Sequence, residues 1–190
     1  MEKNIIYFER KGAVNTDKTL EAARKRAEEL GVRDIVVAST HGGTALKAAD
    51  VFGNMNVNLV AVSISEAFKE EGWVMMEEER KKLQAKGVNI LTCLHSLGDN
   101  VSTAFTEKFG GISIEGVVRE TLYRFSQGMK VCVEIVLMAA DAGLIPVDRD
   151  IIAIAGTSKG ADTALRIRPA NSAKFFDLKI IEVIAKPLNF

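Results

Sequence analysis

Apolar and polar positions along the chain follow two rhythms that take turns. Short apolar runs at Asn4–Phe8, Asp34–Ser39, Asn58–Ile64, Val88–Cys93 and Ile151–Ala155 have the length and β-branched content of strands. Between them lie stretches with helical spacing. One is capped by Asn15-Thr16-Asp17 and runs to Leu30, where Gly31 stops it. Thr44–Phe52 follows as a short helix, and Glu77–Lys86 as a charged one ending at Gly87. Two more, Ile114–Phe125 and Met129–Ala142, are broken near Gln127-Gly128 and closed by Gly143. The second of these reads KVCVEIVLMAADAG and is apolar almost all round, so it must be buried against a sheet or a partner. Thr163–Arg168 and Leu178–Ala185 read as two further strands, too close together for a helical crossover. They are expected as antiparallel additions at the sheet edge.

This alternation predicts an α/β fold: a three-layer α/β/α open sheet, mainly parallel, with antiparallel strands at its C-terminal end. The very apolar run at Asn58–Ile64 suits a parallel strand covered on both faces. No internal repeat, low-complexity segment or linker divides the chain, so residues 1–190 are expected as one domain.

Composition narrows the function classes. The sequence holds 25 Lys+Arg against 25 Asp+Glu, a formal charge of zero, where a nucleic-acid protein needs a basic excess or stripe. The mixed-sign segments RKRAEE and EEERKKLQAK read as solvated helix faces. No apolar run approaches the ~20 residues of a membrane span. The chain begins Met-Glu-Lys-Asn and enters a strand at once, so no signal peptide and a cytoplasmic location are expected. Cys93 and Cys132 sit in apolar surroundings, and two scattered Cys with two scattered His do not supply a metal site.

In an open parallel sheet, ligands bind beyond the carboxyl ends of the strands. Four loops leave such ends. Ser39, Thr40, His41, Gly42, Gly43 and Thr44 form the first; Ser63, Ile64 and Ser65 open the second. His95, Ser96 and Gly98 belong to the third; Gly156, Thr157, Ser158, Lys159, Gly160 and Asp162 make the fourth. All are rich in hydroxyl, glycine or histidine.

The first loop has a clear mechanism for holding a phosphate. Two glycines admit a close backbone approach, and the next helix points its free N–H groups at the turn. Neither GxxxxGK[ST] nor GxGxxG occurs, and a plain tight turn capped by Thr44 fits the spacing as well. Lys159 could add a mobile positive charge. Asp162 could contact a ligand, or tie down its own turn. His41 and His95 could face one cleft, and Cys93 shares a strand face with His95, which makes a Cys–His nucleophile conceivable. Trp73 and Phe68 could fold over a planar ligand or pack on the sheet edge. Arg166 and Arg168 could reach an anion, or be solvated on an edge strand.

The stretch DIVVASTHGGTALKAADVF followed by NLVAVSI resembles the carboxyl-terminal α/β domain of pyruvate kinase. There a strand runs into a Thr/Ser-Gly-rich turn that opens a helix and holds the phosphate of a sugar-phosphate activator. GMKVCVEIVLMAADAGLIPV, GTSKGADTALRIRPA and NSAKFFDLKIIEVIAKP extend the likeness to stand-alone prokaryotic, largely archaeal proteins with this fold, over essentially the whole chain. The resemblance implies a phosphorylated small-molecule ligand, with flavin mononucleotide (FMN) favoured as cofactor. If the protein is an enzyme, it implies a flavin-dependent oxidoreductase. Pyruvate kinase activity is not expected, since nothing in the chain corresponds to that enzyme's catalytic barrel. The alternative is a regulatory module that binds a sugar phosphate or similar metabolite, with a homo-oligomer allowed for.

Overall fold

The computed structural model describes residues 2–190. Seven strands form one sheet: β1 (Ile6–Phe8), β2 (Asp34–Ala38), β3 (Asn58–Ser63), β4 (Asn89–Thr92), β5 (Ile151–Ala155), β6 (Thr163–Arg168) and β7 (Lys179–Pro187), in the order β1-β7-β6-β5-β2-β3-β4. The β2–β3, β2–β5, β3–β4 and β1–β7 pairings are parallel, while β6 pairs antiparallel with both β5 and β7. Only β6 therefore runs against the rest. The antiparallel pairings lie at one end of the sheet, as the short connections require. The outermost strand there is β1, laid beside β7 with Ile6 opposite Ala185. β6 is consequently interior, which removes the edge-strand reading of Arg166 and Arg168.

Six helices accompany the sheet: α1 (Thr16–Leu30), α2 (Gly43–Phe52), α3 (Glu77–Ala85), α4 (Val101–Phe109), α5 (Ile114–Tyr123) and α6 (Gln127–Asp141). Strand alternation sorts the core into two layers. Ile35, Val37, Leu59, Ala61, Ile152 and Ile154 face one side with Leu20 and Ala23 of α1, Phe52 of α2 and Leu83 of α3. Val36, Val60, Val62, Ile151, Ala153 and Leu165 face the other, under α6. β2, β3 and β5 are apolar on both faces because both are covered.

The apolar character of α6 is explained within the chain. One side lies on β5, β6 and β2; α5 and the 3-10 segment Ser172–Asp177 pack around it. It buries twelve residues, among them Lys130 and Glu134. Those two pair at 2.5 Å, so the charges enter the core together.

The helix α4 is an element that the apolar pattern did not single out. Asn100 caps it by accepting from the Thr103 N–H at 3.1 Å, and it contains no buried residue.

Candidate functional site

Because β1, β2, β3, β4, β5 and β7 point the same way, their following loops converge on one edge of the sheet. The N-termini of α1, α2 and α6 meet the same edge: Thr16 touches the turn after β5, and Ser126 touches the start of β6.

The turn after β2 is built around Gly42, whose φ of 77° is left-handed. A side chain there would be strained and would press on Leu83 at 3.1 Å. Ser39 is buried and accepts the Ala45 N–H at 3.1 Å, so it caps α2 from inside. Ser63, also buried, donates to the Thr40 carbonyl at 3.2 Å and ties the turn to β3. Both hydroxyls hold the turn in shape. What faces outward is Thr40, His41 and Gly43, with Thr44 half-buried. A Cβ on Gly43 would meet nothing within 4 Å. The helix start therefore opens onto free space, with the first-turn Gly43 and Thr44 N–H groups available.

The next two loops form an aromatic wall. Phe68 and Trp73 stack with centroids 5.7 Å apart and 17° between their planes, and His95 lies 6.3 Å from Phe68. Trp73 remains half exposed. Ile64 and Ser65 are half-buried, and Ser65 caps the one-turn segment Glu66–Phe68 by accepting from the Ala67 N–H at 3.2 Å. The loop after β4 is tied to α6 from below. Ser96 Oγ donates to the Glu134 carbonyl and the Leu97 N–H donates to the Glu134 carboxylate, both at 3.2 Å. Gly98 is buried beneath Arg119.

Each histidine is paired with a carboxylate, His41 with Glu79 at 3.5 Å and His95 with Asp99 in a close contact. The His95 ring thus turns to Asp99 and not to Cys93. Burial raises the Cys93 thiol above its ordinary pKa, with Asp141 and Glu134 adding to the effect. A protonated thiol without a base is a poor nucleophile, so the Cys93–His95 reading fails on geometry and on charge.

The turn after β5 is organised differently. Asp162 is fully buried. Its carboxylate accepts from the Gly12 N–H at 2.7 Å, the Thr157 N–H at 3.1 Å and the Thr163 hydroxyl at 2.8 Å. Of the two roles open to it, the internal one is filled: the carboxylate ties its own turn together. Gly160 has φ of 73°, and a Cβ there would lie 2.3 Å from Thr16 Oγ1. At Gly156 a Cβ would lie 2.6 Å from the Gly160 carbonyl. Ser158 and Lys159 form the exposed tip.

Beside this turn lies a cleft of about 610 Å3, lined by Lys11, Tyr123, Arg124, Gln127, Thr157 and Phe190. Only Thr157 of these stood out in the sequence. Lys11 and Phe190 come from opposite ends of the chain and meet because β1 pairs with β7. That pairing has no local signal. The Thr157 hydroxyl is buried without a hydrogen-bond partner among the described residues. Lys11 and Arg124 form no ion pair among those residues, so the cleft carries two uncompensated cations, two rings and an amide.

Arg166 and Arg168 point away from this edge and share Asp150, each donating Nε at 2.7 Å. Burial pushes the Asp150 carboxyl up, but the two guanidiniums outweigh it and hold it below the usual carboxylate value. The anion they neutralise is their own.

A family model described as pyruvate kinase, alpha/beta domain, matches residues 17–167. The chain belongs to the pyruvate kinase α/β-domain family. The match starts in α1 and ends in β6, leaving β1 and β7 outside it. Among solved structures, an O-ureido-L-serine synthase is 24% identical, with a TM-score of 0.33, over 52% of this chain and 31% of that one. Cryptosporidium parvum pyruvate kinase in complex with ADP is 12% identical, with a TM-score of 0.37, over 89% of this chain and 23% of that one. The chain therefore spans about a quarter to a third of the length of these proteins. Among the described residues no helix is long and apolar enough to cross a membrane.

Proposed function

We propose that this pyruvate kinase α/β-domain protein is a cytoplasmic protein that binds a phosphorylated small molecule at the carboxyl edge of its sheet, and that FMN is that ligand. The observation that carries this reading is the start of α2, where a left-handed Gly42 and an uncovered Gly43 leave helix N–H groups open to solvent. The phosphate sits on Gly43 and Thr44, with the Thr40 hydroxyl beside it. The stacked Phe68–Trp73 pair offers a face for the flavin ring, and His95 stands at its side. Bound FMN would supply hydride and electron transfer; the chain's part is to hold and orient it.

The test is a visible spectrum of the natively purified protein, followed by titration of the apoprotein with FMN while Trp73 fluorescence is read. A flavin spectrum, or saturable quenching, supports the reading. A colourless protein that does not bind added FMN removes it.

The cleft beside Thr157 favours a second reading, a non-catalytic module that binds a sugar phosphate. Lys11 and Arg124 suit a dianion, while Gln127 and the unpartnered Thr157 hydroxyl suit sugar oxygens. A ligand held only by the native state raises the melting temperature. Stabilisation by sugar phosphates that is lost in Arg124→Glu, with no response to FMN, selects this reading over the first.

A further inference from the structure

We propose that the cleft beside Thr157 takes a nucleoside monophosphate, with its phosphate on Lys11 and Arg124 and its base on Tyr123 and Phe190. This rests on the second reading above, that the cleft binds a sugar phosphate, and adds the base.

Asp162 builds one wall of the cleft. A single carboxylate oxygen, Oδ2, accepts both the Gly12 N–H at 2.7 Å and the Thr157 N–H at 3.1 Å. The backbone that carries Lys11 is thus fixed beside Thr157 in the free protein, so less order has to be gained on binding. Arg124 and Gln127 stand where α5 gives way to α6, and Phe190 follows β7. Lys11 and Phe190 lie outside the residues that match the family model, so this cleft is an addition to the shared domain. None of its six lining residues belongs to the turn after β2 or to the loops of the aromatic wall.

Charge and shape select the ligand class. Lys11 and Arg124 offer two positive charges, and a phosphate monoester carries close to −2 at neutral pH. A bare sugar phosphate satisfies those cations but leaves the two rings without a role. Lys130 Nζ lies 5.9 Å from the centroid of the Tyr123 ring, and Lys186 Nζ lies 4.6 Å from that of Phe190. Each lysine takes one face of its ring and leaves the other to be stacked upon. Lys130 is itself spent on Glu134, so it does not compete for the phosphate. Base–aromatic stacking suits such rings, because every base has a π-face. The volume of about 610 Å3 falls within the ~300–1,000 Å3 of small-molecule sites, with room for base, ribose and phosphate together. Rings grip a base by its face and not by its edge, so purines are expected above pyrimidines, with little choice between adenine and guanine.

The experiment is calorimetric titration of the full chain with adenosine monophosphate (AMP), adenosine and ribose 5-phosphate. AMP is expected to bind at least about tenfold more tightly than either fragment. Phe190→Ala is expected to weaken AMP by about tenfold and leave ribose 5-phosphate unchanged, while Arg124→Gln weakens both. Phe190 is half exposed, so its variant stays folded, which the melting temperature checks. A second readout needs no variant: intermolecular NOEs from the adenine H2 and H8 protons to the Tyr123 and Phe190 rings. Ribose 5-phosphate that binds as tightly as AMP, in wild type and Phe190→Ala alike, overturns the base and leaves the sugar-phosphate reading standing. So does AMP that binds without an NOE to either ring. A protein that binds neither AMP nor ribose 5-phosphate overturns both.

Discussion

Two glycine turns leave neighbouring parallel strands, and their sequences look alike: small, hydroxyl-rich, with paired glycines. The structure uses them in opposite ways. In the turn after β2 the buried groups, Ser39 and Ser63, satisfy the frame and leave the top open. In the turn after β5 the buried group is a carboxylate at the centre, and the turn closes around it. Asp162 gathers donors from Gly12, Thr157 and Thr163, and Thr163 Oγ1 lies 3.5 Å from Ser126 Oγ at the cap of α6. A turn that opens outward can receive a ligand. A turn locked from within can only position what stands beside it, here Thr157 on the cleft wall. Glycine serves conformation in both, but at Gly156 and Gly160 it also answers to close packing.

The contrast can be broken most forcefully at Asp162. Asp162→Ala leaves the Gly12 and Thr157 N–H groups and the Thr163 hydroxyl without their acceptor, at a cost of roughly 3 kcal/mol or more. Urea unfolding measures it, and a change under about 1 kcal/mol would mean that the turn is not locked. The glycines sharpen the comparison next. Gly160→Ala combines a left-handed φ with overlap onto Ala13 and Thr16, and should cost about 2–3 kcal/mol. Gly43→Ala should leave stability within about 0.5 kcal/mol, because open space surrounds it. If the proposed phosphate sits on this turn, the same change should weaken its binding, by placing a methyl beside the phosphate oxygens. A ligand affinity indifferent to Gly43→Ala moves the binding reading to the cleft.

Ser39→Ala removes the inner cap of α2 and is expected to cost about 1 kcal/mol, read by the same unfolding curves. The smallest effect lies at the opposite edge. Asp150 is held below its ordinary carboxylate pKa in the folded state, so its ion pairs add stability at neutral pH. That contribution is lost as pH falls from the unfolded carboxyl's pKa through the lower folded one. Asp150→Asn should therefore flatten the acid limb of the stability–pH curve while lowering stability at neutral pH. An unchanged acid limb would show that the two guanidiniums do not favour the charged form.

Much of the fold was legible because the chain writes it locally. Two-sided burial makes β2, β3 and β5 continuous apolar runs, and Gly31 and Gly87 mark helix ends with positive φ. The convergence of hydroxyl and glycine loops followed from strand direction alone. Legibility failed where a role depends on distant contacts. Arg166 and Arg168 read as edge residues, because nothing nearby shows that β7 and then β1 lie outside β6. Lys11 and Phe190 carried no signal, since only the β1–β7 pairing brings chain ends into one cleft. The helix α4 lacked a core-facing pattern because its apolar stripe faces away from the core.

By itself, the amino-acid sequence determined the α/β class, the family, and the set of loops that reach the carboxyl edge. The class and the loops rest on hydrophobic periodicity and local turn chemistry, and the family on the likeness of particular stretches such as DIVVASTHGGTALKAADVF. Tertiary structure alone decided which polar groups of those loops look outward. A hydroxyl or carboxylate turns inward when buried N–H groups would otherwise lack a partner, and those N–H groups arrive from elsewhere: Gly12 lies 150 residues from Asp162.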